Sequence, residues 1–456
     1  MRANSEIFRE YDIRGIADRD LASPISIALG QAVGTYLKRE GRSRITLGRD
    51  CRLSSERLAS EVGRGLQTAG LEVIEIGVVP TPLLYFSLYH FGDVDGGVMI
   101  TGSHNPADYN GLKICSGKTT IHGEEIQKIG RILESEDLEQ GRGSIESRDI
   151  EDPYRKMIRE RIGRLSRPLK VVVDAGNGTS SDLSPEVYRE LGCEVIELFC
   201  EMDGSFPNHH PDPTVEENLR DLVAAVRQHE AHLGIAFDGD GDRIGAVDDT
   251  GRILWGDELM ILFSREILAR HPGATIIGEV KCSMNLYRQI ELHGGVGIMW
   301  KAGHSLIKAK MKETEAALAG EVSGHIFFAD GFYGFDDATY AGARLLQLIA
   351  DSGRFLSQLL EDVPPLFNTP EIRVDVRESE QFEIVRQLQE HFSRRYETIT
   401  VDGVRVLFED GWGLVRASNT QPALVMRFEA STPDRLEEIR WIVESKLGEV
   451  SRSLGG

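Results

Sequence analysis

At 456 residues the chain is long enough for three or four domains of about 100–200 residues each, and an apolar content of 41% suffices for ordinary buried cores. Acidic residues outnumber basic ones, 73 Asp and Glu against 52 Lys and Arg, for a formal net charge of −21. That balance argues against nucleic acid or an anionic membrane surface as the main partner, while leaving room for an anionic small molecule held by locally gathered basic residues.

The polar opening Glu10-Tyr11-Asp12-Ile13-Arg14-Gly15-Ile16 contains an Arg-Gly turn, and a helical pattern follows from Ile25 to Arg39. A unit that recurs then begins. Arg44–Asp50 reads as a strand ending in polar residues, Ser54-Ser55-Glu56 opens a helix, and Gly70–Ile76 reads as a second strand. The same order returns with the strand Leu169–Gly176, a helix to about Leu191 and the strand Gly192–Leu198. A third copy runs through Thr275–Lys281, a helix from Met284 to His293, and Gly294–Met299. Three strand–loop–helix–strand units at a spacing of roughly 100–130 residues predict three related α/β domains. Ligands of such sheets sit at the carboxyl ends of the strands, where Asp50, Asp174 and Lys281 fall. Polar stretches near Ser144–Ile150 and Asp362–Pro370 read as linkers. Beyond Pro370 the pattern changes to an alternating strand at Ile372–Val376, an amphipathic helix from Gln381 to Arg395, three short strands and a helix from Pro433 to Leu447. This predicts a smaller α+β domain of a different kind.

Five cysteines (Cys51, Cys115, Cys193, Cys200 and Cys282) form no CxxC pair, a pattern that fits reduced thiols better than a disulfide framework or a zinc site. The first residues lack the apolar stretch of a signal peptide, and no run approaches the roughly 20 apolar residues of a membrane span. A cytoplasmic protein without a membrane partner is expected.

Four polar loops carry the chemistry. Gly97-Val98-Met99-Ile100 reads as a buried strand, and Thr101-Gly102-Ser103-His104-Asn105-Pro106 follows it. Its serine could be a nucleophile or a phosphate carrier, or the loop could be a polar turn that caps the next element; the stretch alone leaves these open. The esterase elbow is excluded, since G-x-S-x-G would need glycine where Thr101 and Asn105 stand. Asp238-Gly239-Asp240-Gly241-Asp242-Arg243 sets three carboxylates at alternate positions, a hard-oxygen trap suited to Mg²⁺. An EF-hand fails there, because Arg243 and Asp249 occupy the positions that need Gly and Glu, and the flanks read as strands. Gly176-Asn177-Gly178 imitates a dinucleotide fingerprint but lacks its third glycine at Ser181. Gly320-Glu321-Val322-Ser323-Gly324-His325 offers a carboxylate and a hydroxyl suited to sugar hydroxyls, or on its own a helix-capping turn. Arg416-Ala417-Ser418-Asn419-Thr420-Gln421-Pro422 has the composition of a phosphate clamp, or alone of a polar hairpin.

With Tyr11-Asp12-Ile13-Arg14-Gly15 these loops make five motifs in one order along the whole chain. Together they resemble the α-D-phosphohexomutases, and among them the bacterial phosphomannomutase/phosphoglucomutase group. The resemblance implies four domains round a central cleft: a phosphoserine domain (1–149), a metal-binding domain (150–252), a sugar-binding domain (253–365) and a phosphate-binding C-terminal domain (366–456) that hinges to close the cleft. It implies a reversible hexose 1-phosphate/6-phosphate mutase with Mg²⁺ and a hexose 1,6-bisphosphate, such as glucose 1,6-bisphosphate, as activator. Ser103 becomes the phosphoserine, and Asp238, Asp240 and Asp242 with the Ser103 phosphate hold the metal. Glu321 and Ser323 grip the sugar, while Arg416, Ser418, Asn419 and Thr420 hold the non-reacting phosphate. Tyr11, Arg14, Arg243, Lys281, His304 and His325 line the cleft together with His104, and Lys113 and His304 are the expected proton movers. The opening at Tyr11–Gly15 differs from that of phosphoglucosamine mutases and favours glucose and mannose phosphates. The alternatives are a phosphoglucosamine mutase or a non-catalytic sugar-phosphate-binding protein. A monomer is expected.

Overall fold

The computed structural model describes residues 4–377, 379–418 and 422–454. Its strands form four sheets. In the first, Arg44–Arg49 lies centrally, with Glu72–Val78 parallel on one side and Gly96–Ile100 parallel on the other; Tyr109–Ser116 then pairs antiparallel with Gly96–Ile100. The second sheet repeats this order. Lys170–Asp174 lies between Glu194–Leu198 and Leu233–Phe237, both parallel to it, and Ile244–Asp248 completes an antiparallel hairpin. So does the third, in which Thr275–Glu279 separates Val296–Trp300 from Leu318–Gly320, and Ile326–Phe328 closes the hairpin. The repeat read from the sequence is therefore present, and it continues one hairpin further than periodicity revealed. All but Tyr109–Ser116 of these hairpin strands are short and wholly buried, with no alternation to detect.

That extra hairpin explains the motifs. Its connection is Thr101–Asp108 in the first sheet, Asp238–Arg243 in the second and Glu321–His325 in the third. The three loops that look unrelated in sequence occupy one topological position, at the carboxyl end of a parallel strand where ligands of open sheets bind.

The fourth sheet is antiparallel, in the order Phe367–Asn368, Ala423–Ala430, Gly411–Ala417, Val404–Phe408 and Thr398–Ile399, with Ile372–Asp375 also pairing with Ala423–Ala430. The helices Gln381–Phe392 and Pro433–Leu454 cover one face through a cluster that includes Ile384, Leu388, Val415, Phe428, Ile439 and Val443. Four strands follow the helix Gln381–Phe392 instead of the expected three, because Thr398–Ile399 is a two-residue edge too short to read. The helix itself stops at Phe392 rather than Arg395, and the last helix runs seven residues beyond Leu447. Three further stretches differ from expectation, the first being Phe367–Asn368, which lies in the second expected linker yet pairs with Ala423–Ala430. Ile145–Ser147, in the first expected linker, adds a parallel edge strand beside Glu72–Val78, and Ile13–Ile16, read as a turn, pairs antiparallel with Tyr109–Ser116. Both are edge strands recruited by a ladder already formed, so neither needs a strong pattern of its own.

Candidate active site

Ser103 adopts φ +49°, a left-handed conformation that costs a non-glycine residue about 1–3 kcal/mol and persists only where surroundings enforce it. Its N–H donates to Thr101 Oγ1 at 2.9 Å, and the N–H of Gly102 donates to Asp50 Oδ2 at 2.9 Å. The turn aims the serine out of its own sheet at the second one. Ser103 Oγ donates to Asp238 Oδ2 at 2.9 Å and lies 3.1 Å from His104 Nδ1.

Asp238, Asp240 and Asp242 are all fully buried, each with a carboxylate oxygen within 4.8 Å of the others'. Asp238 Oδ1 accepts the N–H groups of Asp242 and Arg243 at 3.0 and 3.1 Å, which curls the loop round its first carboxylate. Asp240 Oδ2 accepts three donors from the first domain: Thr81 Oγ1 at 2.6 Å, Thr101 Oγ1 at 3.0 Å and Lys113 Nζ at 2.8 Å. Lys113 also reaches Asp242 Oδ2 at 2.5 Å. One lysine does not balance three buried carboxylates. Burial and its two acidic neighbours push the Asp238 carboxyl well above its usual range, and Oδ1 of both Asp240 and Asp242 is buried without a hydrogen-bond partner. Buried acceptors of this kind are costly unless something charged meets them. An all-oxygen set with unpaired lone pairs fits a hard divalent cation such as Mg²⁺.

The third loop joins the same cleft. Arg243 Nε donates to His325 Nε2 at 2.9 Å, so His325 carries its own proton on Nδ1, which lies 3.0 Å from Asp336 Oδ2 and 3.6 Å from Asp242 Oδ1. His304 stacks on His325 with ring centroids 5.8 Å apart, and burial holds its imidazole well below the usual pKa. Burial, with Arg243 and Arg14 nearby, does the same to His104. Tyr11 meets His304 edge-on at 6.1 Å and donates its hydroxyl to Ala302 O at 2.9 Å. Beside it Gly303 has φ +124° and its N–H donates to Glu321 Oε1 at 2.8 Å; a Cβ there would stand 2.5 Å from the Tyr11 ring. Arg14 is paired with Asp12.

The C-terminal domain closes the ring. Arg416, 7% exposed, donates to Asp402 Oδ2 at 2.9 Å, and the same oxygen accepts Ala302 N–H at 3.2 Å. Lys281 Nζ pairs with Glu371 at 3.1 Å, while its N–H donates to Glu279 Oε2 at 2.7 Å. Lys281 thus sits where the third and fourth domains meet. Ser323 is half-buried on the third loop, and Ser418 lies at the end of Gly411–Ala417. Asn419 and Thr420 fall outside the described residues.

Four profiles match in sequence along the chain: the phosphoglucomutase/phosphomannomutase alpha/beta/alpha domain I over residues 5–140, domain II over 152–251, domain III over 255–367, and the C-terminal domain over 371–444. A phosphomannomutase/phosphoglucomutase of Pseudomonas aeruginosa is 46% identical over 99% of this chain and 97% of its own length. The chain belongs to the phosphoglucomutase/phosphomannomutase family. A phosphoglucomutase of Neisseria gonorrhoeae is 45% identical, covering 95% of both chains. The structure of a phosphoglucomutase/phosphomannomutase family protein from Burkholderia thailandensis superposes with a TM-score of 0.93 at 41% identity, covering 98% of each chain.

Within this family fold, several residues of the cleft escaped the sequence reading. Thr81 holds Asp240 from the start of the helix Thr81–His90, and Asp336 stands between His325 and Lys308, whose Nζ is 3.1 Å from Asp336 Oδ1. Asp402 and Glu371 hold Arg416 and Lys281. Each stands in an ordinary sequence context, and its role exists only through contact with a distant segment. Asp50 was legible as a strand-end carboxylate. Asp174, legible in the same way, serves instead to hold His209 at 3.1 Å.

Proposed function

We propose that this chain interconverts hexose 1-phosphate and hexose 6-phosphate, with mannose and glucose phosphates as substrates, through a phosphoserine at Ser103 and a hexose 1,6-bisphosphate that turns round in the cleft. It is an isomerase of carbohydrate metabolism, and the names of its relatives in Pseudomonas and Neisseria support the choice of sugars. The observation that carries the mechanism is the hydrogen bond from Ser103 Oγ to Asp238, which joins the expected nucleophile to the expected metal ligands across a domain boundary.

Asp238, Asp240 and Asp242, with an oxygen of the Ser103 phosphate, would hold Mg²⁺. Bound there, it supplies positive charge for the phosphoryl group in flight. Arg243 and Lys113 add fixed charge from the protein, and positioning plus neutralisation is most of what phosphoryl transfer needs. In the first half-reaction the Ser103 Oγ–P bond breaks and a bond forms between phosphorus and the C6 hydroxyl oxygen, whose proton leaves to a base. His304, kept neutral by burial, is the better of the two expected proton movers; Lys113, its ammonium held between Asp240 and Asp242, acts as a fixed cation. The bisphosphate then presents its other phosphate, and the reverse transfer restores phospho-Ser103 and every proton. Glu321 and Ser323 hold the sugar hydroxyls in both orientations. Arg416, Ser418, Asn419 and Thr420 hold the idle phosphate, with Lys281, Tyr11, Arg14, His104 and His325 lining the cleft. Hexose 1,6-bisphosphate activates by refilling Ser103 after an intermediate escapes.

We take the domains as 1–149, 150–252, 253–365 and 366–456, with the short strand Ile253–Leu254 at the second boundary pairing back onto Ile244–Asp248 of the second sheet, and the protein as a cytoplasmic monomer. Five unpaired cysteines suit a reducing compartment. Among the described residues no helix is long and apolar enough to cross a membrane. The test is an assay of mannose 1-phosphate and glucose 1-phosphate with Mg²⁺ and a trace of hexose 1,6-bisphosphate. Conversion of both, lost in Ser103→Ala, is expected. Equal turnover of glucosamine phosphate would overturn the choice of substrates.

A further inference from the structure

Arg52 has no part in the reaction described above, yet its side chain is 0% exposed and lies against the serine loop. Its guanidinium donates four hydrogen bonds, all to backbone carbonyls of that loop and of Tyr109 just beyond it. Nη2 donates to Ser103 O at 2.8 Å and Asn105 O at 2.6 Å, and Nη1 to Pro106 O at 2.5 Å and Tyr109 O at 3.1 Å. Asp50 pairs with its Nε side at 3.2 Å and takes the Gly102 N–H on the same oxygen. The guanidinium fits closely enough that a Cβ on Gly102 would stand 2.5 Å from Nε, and Phe206 of the second domain covers it at 5.1 Å.

Two residues at one strand end therefore hold the backbone from Gly102 to Tyr109 at five points, around a serine in the left-handed conformation. A loop whose only task was to connect two strands could leave its carbonyls to water, without the cost of burying a guanidinium. None of the five bonds involves Ser103 Oγ. The grip is thus the same whether or not the serine carries phosphate, and each catalytic cycle needs Oγ in the same place twice. We propose that Arg52, braced by Asp50, is a positioning residue that fixes the Ser103 backbone through both halves of the reaction. The inference rests on Ser103 being the phosphate carrier.

Intact-mass measurement after incubation with hexose 1,6-bisphosphate separates the two ideas: a wild-type chain that takes up no phosphate defeats the phosphoserine reading itself. Given phosphorylated wild type, the test compares Arg52→Lys, which keeps a charge but loses the planar fork, with Arg52→Ala assayed with and without added guanidinium ion. Displacement of a reacting atom predicts a loss of kcat on the order of 100-fold in both variants, at a KM within about threefold of wild type. Added guanidinium should restore part of the Arg52→Ala rate and leave Arg52→Lys unchanged. Wild-type kcat in folded Arg52→Lys would overturn the proposal. So would losses that track only the folded fraction with no rescue, or failure of both variants to fold.

Discussion

Ser103 shows how much of a residue's role its own neighbours in sequence can hide. Thr101–Pro106 could be a capping turn until Asp238 is seen 2.9 Å from the serine oxygen, and that distance spans 135 positions of chain. The serine, the aspartate triplet and Glu321 were legible because each stands in a run dense with glycine and chemical side chains. Arg52, Thr81, Asp336 and Asp402 were not, because each acts through a partner in another segment. Replacing Ser103 by Ala is expected to abolish turnover by orders of magnitude and to remove the phosphate seen by intact mass. Its melting temperature should stay near that of wild type, because the loop is held by its backbone. At Gly303 the expected effect is the opposite in kind. Gly303→Ala puts a methyl against the Tyr11 ring in a left-handed backbone, so it should cost roughly 1–3 kcal/mol of stability in chemical denaturation and raise KM by displacing Tyr11 and the Glu321 acceptor.

At the scale of elements the molecule uses one device three times. A parallel strand ends, the chain turns and an antiparallel partner returns, and the turn carries a serine, three aspartates or a glutamate with a histidine according to the repeat. The first strand, helix and second strand of each unit are legible in the sequence, since their amphipathic helices and flanking glycines leave a pattern. The equivalence of the motif loops is not, since buried three- to five-residue strands such as Leu318–Gly320 carry no period. The C-terminal sheet is tied to this framework at Lys281: Arg405 donates to Val280 O at 2.6 Å and Cys282 O at 2.8 Å, and Arg427 to Lys281 O at 2.9 Å. Arg405 is wholly buried, its guanidinium 3.6 Å from the Trp412 ring centre. Arg405→Ala leaves those carbonyls unpaired at about 1–3 kcal/mol for each buried group, and calorimetry should resolve a C-terminal transition ahead of the main one.

For the whole molecule, the cleft depends on charges that meet only when the domains are assembled. Glu371, beside the Lys281 ammonium, has its carboxyl lowered from 4.5 to about 2. A depressed carboxylate contributes its stabilisation in full above its unfolded value and loses it as pH falls through the folded one. Docking of the C-terminal domain should therefore weaken between about pH 4.5 and pH 2, and Glu371→Gln should flatten that part of the stability–pH curve. Removal of divalent cations should act at the aspartate loop instead. A chelator should stop turnover, and Mg²⁺ should restore it and raise the melting temperature by relieving three buried carboxylates of their mutual repulsion.

The central claim is that phosphate passes through Ser103 while the sugar is isomerised. The most direct measurement follows labelled phosphate from hexose 1,6-bisphosphate during Mg²⁺-dependent conversion of mannose 1-phosphate or glucose 1-phosphate, and reads the Ser103 peptide by mass. The account predicts label on Ser103 that exchanges into the hexose 6-phosphate product at the rate of turnover. Sustained conversion with no label on Ser103, or undiminished conversion by Ser103→Ala, would contradict it.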